Sequence, residues 1–168
     1  MSRRLVVMRH AKAEQEGPTD FERPLADRGR RDAADAGRWL AGEGIAPGHA
    51  LVSAALRTRE TWEAVAAGAS WALEPDVDRG LYAAGPETAL DLIRLTPDTV
   101  GTLIVIGHNP TMAYLAQLLD SGEGDPPVPD ALAGGFPTSA VAVFSYDGAW
   151  VDLGPGSADL VAAYVGRG

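Results

Sequence analysis

Apolar residues along this chain fall into two rhythms. Leu5-Val6-Val7-Met8 and Leu103-Ile104-Val105-Ile106 are unbroken aliphatic runs too short for helices of their own. They predict central strands of a parallel sheet covered on both faces. Ala50-Leu51-Val52 predicts a further short strand, and Trp71 to Leu73 a third of that kind. Between the runs, apolar positions recur at helical spacing. One helix is expected from about Ala26 to Glu43, with Ala33, Gly37 and Leu40 facing inward and Gly44 as its stop. A second runs from Leu56 through Thr61 and Val65 to a glycine stop at Gly68, a third from Pro86 to about Leu95, and a fourth from Pro110 to Leu119. Near the end, Ser139 to Tyr146, Asp147-Gly148 and Ala149 to Leu153 read as a hairpin with a two-residue turn.

The connections are polar. Ala11 to Pro24 predicts a long loop over the sheet edge, and Glu74 to Pro86 a loop that brings Leu81-Tyr82 towards it. Gly122 to Pro137, rich in Gly, Pro and Asp, reads as an irregular, mobile excursion. Strands alternating with helices and closed by an antiparallel hairpin predict one α/β domain over residues 1–168. Its architecture is a three-layer sandwich with a mostly parallel or mixed central sheet.

Both strongest strands end in a histidine. Arg9-His10 follows the first and Gly107-His108 the other, so both imidazoles are expected at the carboxyl edge, where open α/β sheets bind ligands. Asn109-Pro110 reads as N-cap and first residue of the next helix, which places His108 beside a helix N-terminus, a place that attracts anions. His49 precedes its strand and belongs at the opposite edge.

Charge narrows the ligand. The formal net charge of -9 excludes nucleic acid and anionic membrane as general partners, because such binding needs broad basic surfaces. Yet Arg9, Arg23 and Arg57 are expected near the carboxyl edge, a small positive pocket suited to phosphate. Arg28, Arg30 and Arg31 read as a solvated helix face, and Arg59 as exposed. There are no cysteines, hence no disulfide, thiol nucleophile or cysteine-ligated zinc. His10, His49 and His108 lack metal-ligand spacing, so neither a metal nor another cofactor is expected. The first residues do not read as a signal peptide and no apolar run has the length of a membrane span, so the cytoplasm is the default location.

Two histidines and two or three guanidinium groups at one edge point to phosphoryl transfer through a phosphorylated imidazole. Neutral imidazole is nucleophilic near pH 7, and a covalent intermediate divides one difficult hydrolysis into two easier steps. Arginines hold the equatorial oxygens of the transferring group, a task that magnesium performs elsewhere.

Four motifs carry a resemblance. Met8-Arg9-His10-Ala11-Lys12-Ala13, Arg23-Pro24-Leu25 with Gly29, Ser53-Ala54-Ala55-Leu56-Arg57 with Thr61, and Gly107-His108-Asn109-Pro110 resemble the histidine phosphatase superfamily, in particular its compact branch of phosphohistidine phosphatases. The likeness continues through Phe136-Pro137-Thr138-Ser139. It implies that His10 is the phosphorylated nucleophile, that Arg9 and Arg57 bind phosphate, that His108 contacts the phosphoryl group, and that Arg23 lies near the pocket. Larger relatives supply a general acid from an inserted segment; here Asp20 is the candidate, with Glu87 as the alternative. Two departures stand out. Ala11 replaces the usual glycine after the histidine, and Glu60, where glutamine is more usual, would weaken the site if it paired with Arg57.

The expected function is hydrolysis of phosphohistidine on a protein, whether a signal transduction domain, a sugar-transport carrier or a metabolic enzyme. The alternatives are a phosphatase of small phosphomonoesters such as sugar phosphates and a non-catalytic phosphoprotein-binding module. Oligomeric state stays open.

Overall fold

The computed structural model describes residues 2–124, 132 and 135–168. Most of the Gly122 to Pro137 excursion expected from the sequence therefore lies outside the described residues. The strands are β1 (Arg3–Arg9), β2 (His49–Ser53), β3 (Asp76–Asp78), β4 (Thr102–Gly107), β5 (Ala140–Tyr146) and β6 (Asp159–Val165). The helices are α1 (Asp27–Gly42), α2 (Leu56–Ala69), α3 (Arg79–Tyr82), α4 (Pro86–Arg94) and α5 (Thr111–Leu119).

One six-stranded sheet has the order β3-β2-β4-β1-β5-β6. The first four strands in that order pair in parallel, and β5 and β6 add antiparallel neighbours beside β1. Side chains alternate across the pleat. Val6 and Met8 of β1 join Ile104 and Ile106 of β4 under α1 and α2, while Leu5, Val7, Leu103 and Val105 face α4 and α5 on the other side. This is the expected three-layer sandwich with a mixed sheet.

Several elements depart from the sequence reading. Trp71 to Leu73 is not a strand. The Trp71 backbone N–H closes the end of α2 on Ala66, and its ring stacks on Trp62 at 6.0 Å, so the segment is held to the helix. The third strand is Asp76–Asp78, which pairs with β2 at the sheet edge, where its two carboxylates remain in reach of water. Nor is Ala149 to Leu153 the hairpin's return. Trp150–Asp152 forms a short 3-10 turn that buries Trp150 completely, with its indole N–H on the Val100 carbonyl at 2.8 Å. The returning strand is β6.

Gly68 does not stop α2. The helix continues to Ala69 and ends with Ser70 in the left-handed region (φ 61°). Gly68 is instead where α2 crosses α1, and a Cβ there would run into the Ala34 carbonyl oxygen. No helix among the described residues is long and apolar enough to cross a membrane.

Candidate active site

Register places the two histidines. Arg9 of β1 is paired with Gly107 of the adjacent parallel strand β4, so the next residue on each strand leaves the sheet beside the other. The His10 N–H continues the ladder onto the Gly107 carbonyl at 3.0 Å. The ring centroids of His10 and His108 lie 5.4 Å apart, inclined at 58°. On the other side of β4, β2 ends at Ser53, whose hydroxyl lies 2.7 Å from His108 Nε2. His49, at the start of β2, lies at the opposite end of that strand, 3.6 Å from Asp76.

Each imidazole is hydrogen-bonded through one ring nitrogen, and for His10 the partner fixes the tautomer. His10 Nδ1 lies 2.7 Å from the carbonyl of Ala11. A carbonyl only accepts, so Nδ1 carries the proton and Nε2 has a free lone pair. Ala11 needs no left-handed conformation: it is outside the positive-φ set and fully buried, and its N–H bonds to Thr61 Oγ1 at 3.0 Å. The Thr61 hydroxyl in turn donates to the Arg57 carbonyl at 2.7 Å, tying the loop after β1 to the first turn of α2. Gly29 permits the same closeness from α1, where a Cβ would collide with the Lys12 carbonyl oxygen.

Burial pushes the His10 pKa down to about 4, helped by the positive charges of Arg57, Arg9 and Arg23 and opposed by the Ala11 bond. Burial likewise lowers His108 to about 3, with His10 and Arg57 adding to it. Both rings are neutral at pH 7. His108 Nε2 is paired with the Ser53 hydroxyl, and its Nδ1 is a buried atom with no hydrogen-bond partner among the described residues.

Arg9, His10, Arg23, Arg57 and His108 line one cleft of about 410 Å³, with Lys12, Gln15, Asn109 and Thr138 also on its walls. Arg57 issues from the first turn of α2 and is 6% exposed. Arg9 donates one guanidinium N–H to the Phe136 carbonyl at 3.3 Å, and Asn109 Nδ2 donates to that same carbonyl at 2.7 Å. Arg9 Nε, Arg23 Nε and Arg57 Nε are buried without a hydrogen bond among the described residues. An unsatisfied buried donor costs about 1–3 kcal/mol. Three guanidinium groups that line one cleft with unfilled N–H donors are suited to an anion, and Arg23 Nε already faces one, the Asp20 carboxylate.

The structure brings Asp20 to this cluster, because the loop after β1 doubles back through bonds from Glu14 N–H to the Pro24 carbonyl and from Ala26 N–H to the Lys12 carbonyl. Asp20 Oδ2 is 3.2 Å from Arg57 Nη2, and Oδ1 is 3.1 Å from Arg23 Nε, though out of line for a hydrogen bond. Glu87 sits elsewhere, in the first turn of α4, lining a separate depression with Tyr114 and Leu118.

Other placements correct the sequence reading. Glu60 does not pair with Arg57; it accepts from the Leu25 N–H and from Arg30 Nη2, each at 2.8 Å. Arg30 thereby links α1 to Glu60 of α2 while staying exposed on the solvated face. Asn109 is not the N-cap of α5, which is Pro110. Asn109 Oδ1 accepts from Ala113 N–H at 3.2 Å, and the helix ladder begins at the His108 carbonyl, which accepts from Met112 N–H. The sequence assigns Ser53 no role within its motif, and it brings Tyr82 towards the edge without a partner.

Comparison with known proteins agrees with this geometry. The pattern of the histidine phosphatase superfamily (branch 1) matches residues 5–82. The chain is 42% identical over 164 residues to the uncharacterized protein Rv1276c of Mycobacterium tuberculosis (strain ATCC 25618 / H37Rv), covering 95% of this chain and 100% of that one. It is 32% identical over 149 residues to phosphohistidine phosphatase SixA of Escherichia coli (strain K12), covering 84% of each. A solved structure from Nakamurella multipartitia, described as a candidate SixA phosphohistidine phosphatase, superposes with a TM-score of 0.85 at 32% identity, over 99% of this chain and 97% of that one. A mixed sheet with two histidines at its carboxyl edge, lined by arginines, has the chemistry to hold an anion. The chain belongs to the histidine phosphatase superfamily, whose similarity here supports phosphatase activity.

Proposed function

We propose that this protein hydrolyses phosphohistidine on a protein substrate, by way of a phosphorylated His10 and without a metal ion. The observation that carries the reading is the contrast within one cleft. His10 is fixed with Nε2 unprotonated, and Arg9, Arg23, Arg57 and His108, which line the same cleft, each keep a buried nitrogen without a hydrogen bond among the described residues.

The chemistry follows in two steps. His10 Nε2 attacks phosphorus in line, forming a P–N bond as the bond from phosphorus to the substrate imidazole breaks. Arg9 and Arg57 hold the equatorial oxygens, with Arg23 at the margin, and His108 Nδ1–H donates to a phosphoryl oxygen. Water then attacks phospho-His10; the P–Nε2 bond breaks, and the proton of water passes to Asp20 or to the departing imidazole. The Tyr82 hydroxyl bond, and then the charge of Arg57 and Arg23, hold the Asp20 carboxyl below its usual range, against the opposing effect of burial. Asp20 is thus a carboxylate at neutral pH, an acceptor of protons and not a donor.

A carboxylate here also bears on the substrate. An alkyl phosphate needs a proton donor for its leaving oxygen, whereas an imidazole already protonated on its other nitrogen leaves as a neutral base. Glu87, in its separate depression, offers no nearer donor. The name of the relative from Escherichia coli points the same way.

The reading is tested by comparing kcat/KM for a phosphohistidine-bearing protein with that for sugar phosphates. Preference for the phosphohistidine protein is expected. Equal or better turnover of a sugar phosphate, lost in Glu87→Gln or Asp20→Asn, would turn the assignment to small phosphomonoesters.

A further inference from the structure

Asp20 makes more contact with the cleft than a proton carrier requires. Its backbone carbonyl accepts from Arg57 Nη1 at 2.8 Å, while its side chain reaches Arg57 Nη2 and Arg23 Nε at 3.2 and 3.1 Å. Both terminal nitrogens of Arg57 are therefore engaged by one residue. The Asp20 side chain is nevertheless 58% exposed, so it can swing into water without opening the core.

Tyr82 holds it in place. This residue comes from α3, more than sixty positions along the chain, and its hydroxyl donates to Asp20 Oδ2 at 2.6 Å. The ring has little freedom. It stands edge-on to Phe21 at 4.9 Å and 83°, and edge-on to His108 at 5.6 Å and 75°. The Arg79 guanidinium lies over Phe21, 4.8 Å from the ring centroid. Tyr82 thus presents its hydroxyl from a fixed position, and the same bond raises its own pKa, so it remains a donor.

We propose that Asp20 is an internal competitor for the phosphate-binding arginines, a carboxylate latch that Tyr82 positions. The inference rests on the cleft being a phosphate site, as argued above. A carboxylate and a phosphoryl group seek the same guanidinium N–H donors. A dianionic phosphoryl group displaces the monoanionic carboxylate from Arg57 and Arg23; a monoanion such as a phosphodiester gains little from the exchange. The latch therefore sets specificity for terminal phosphoryl groups, and it assists product release, because the carboxylate returns to the arginines as phosphate leaves.

Equilibrium binding of inorganic phosphate at pH 7.5, followed by calorimetry at fixed ionic strength, separates this role from proton transfer. Asp20→Asn is expected to bind phosphate about two- to fivefold more tightly than wild type, the upper part of the range for a partly exposed ion pair. Tyr82→Phe should fall between the two, since the carboxylate remains but is no longer held. Equal or weaker phosphate binding in Asp20→Asn, with binding in wild type intact, overturns the latch alone. Failure of wild type and both variants to bind phosphate removes the phosphate site itself, and the latch with it.

Discussion

Ser53 Oγ and His108 Nε2 lie 2.7 Å apart across the ends of two neighbouring parallel strands. If the serine hydroxyl donates, the His108 proton lies on Nδ1, the nitrogen left free for a ligand. Loss of this bond leaves the ring free to adopt the other tautomer. Ser53→Ala is therefore expected to lower kcat/KM about tenfold, the equivalent of one hydrogen bond. Nitrogen NMR shifts of His108 should move away from the Nδ1–H form in the same variant. An unchanged tautomer and an unchanged rate would remove Ser53 from the site.

Arg57 presents a planar fork from the first turn of α2, and lysine cannot reproduce it. Arg57→Lys should keep the fold and lower kcat/KM by about a hundredfold or more, because a single ammonium replaces several fixed donors. The measurement is steady-state turnover alongside circular dichroism.

The two histidines couple stability to pH. Their folded-state pKa values, about 4 for His10 and about 3 for His108, lie below the ordinary value of 6.5. Between these limits the unfolded chain takes up protons that the folded chain refuses. Stability is therefore undiminished above about pH 6.5 and falls as pH drops from there towards 4 and 3, with a slope approaching about 1.4 kcal/mol per pH unit for each histidine. The lowered pKa of Asp20 adds to the loss at the acid end. Urea unfolding at pH 7 and pH 5 should show the difference, and His108→Asn should reduce it. Activity should persist well below pH 6.5 on the enzyme side, since His10 stays unprotonated until about pH 4.

Gly29 lets α1 lie directly on the Lys12 carbonyl. Gly29→Ala forces that loop away, at a cost of about 1–3 kcal/mol for overpacking. The same displacement disturbs the turn that follows His10, so turnover should fall along with the urea midpoint. Gly68→Ala, placed at the α1–α2 crossing, should lower stability with less effect on turnover.

The strands that carry the histidines were legible because they are aliphatic runs buried on both faces, where composition alone distinguishes a central strand. From their ends followed Arg9, His10 and His108, and the motif after β2 supplied Arg57. Edge elements were hidden for the converse reason. Asp76–Asp78 has water on one side and tolerates two carboxylates, so no apolar run announces it. Trp150 looked like a strand residue because its burial comes from a turn tucked beneath the sheet. The partners of Ser53 and Tyr82 gave no signal in the sequence, since they lie 55 and 62 positions away.

The central claim is that His10 becomes phosphorylated. Wild type and His10→Ala should be mixed with a protein carrying labelled phosphohistidine, quenched within one turnover and assayed for label on the enzyme. Label on wild type that is stable to alkali, labile to acid and absent from His10→Ala is the predicted result. Turnover by His10→Ala at the wild-type rate, or label that persists in that variant, would contradict it.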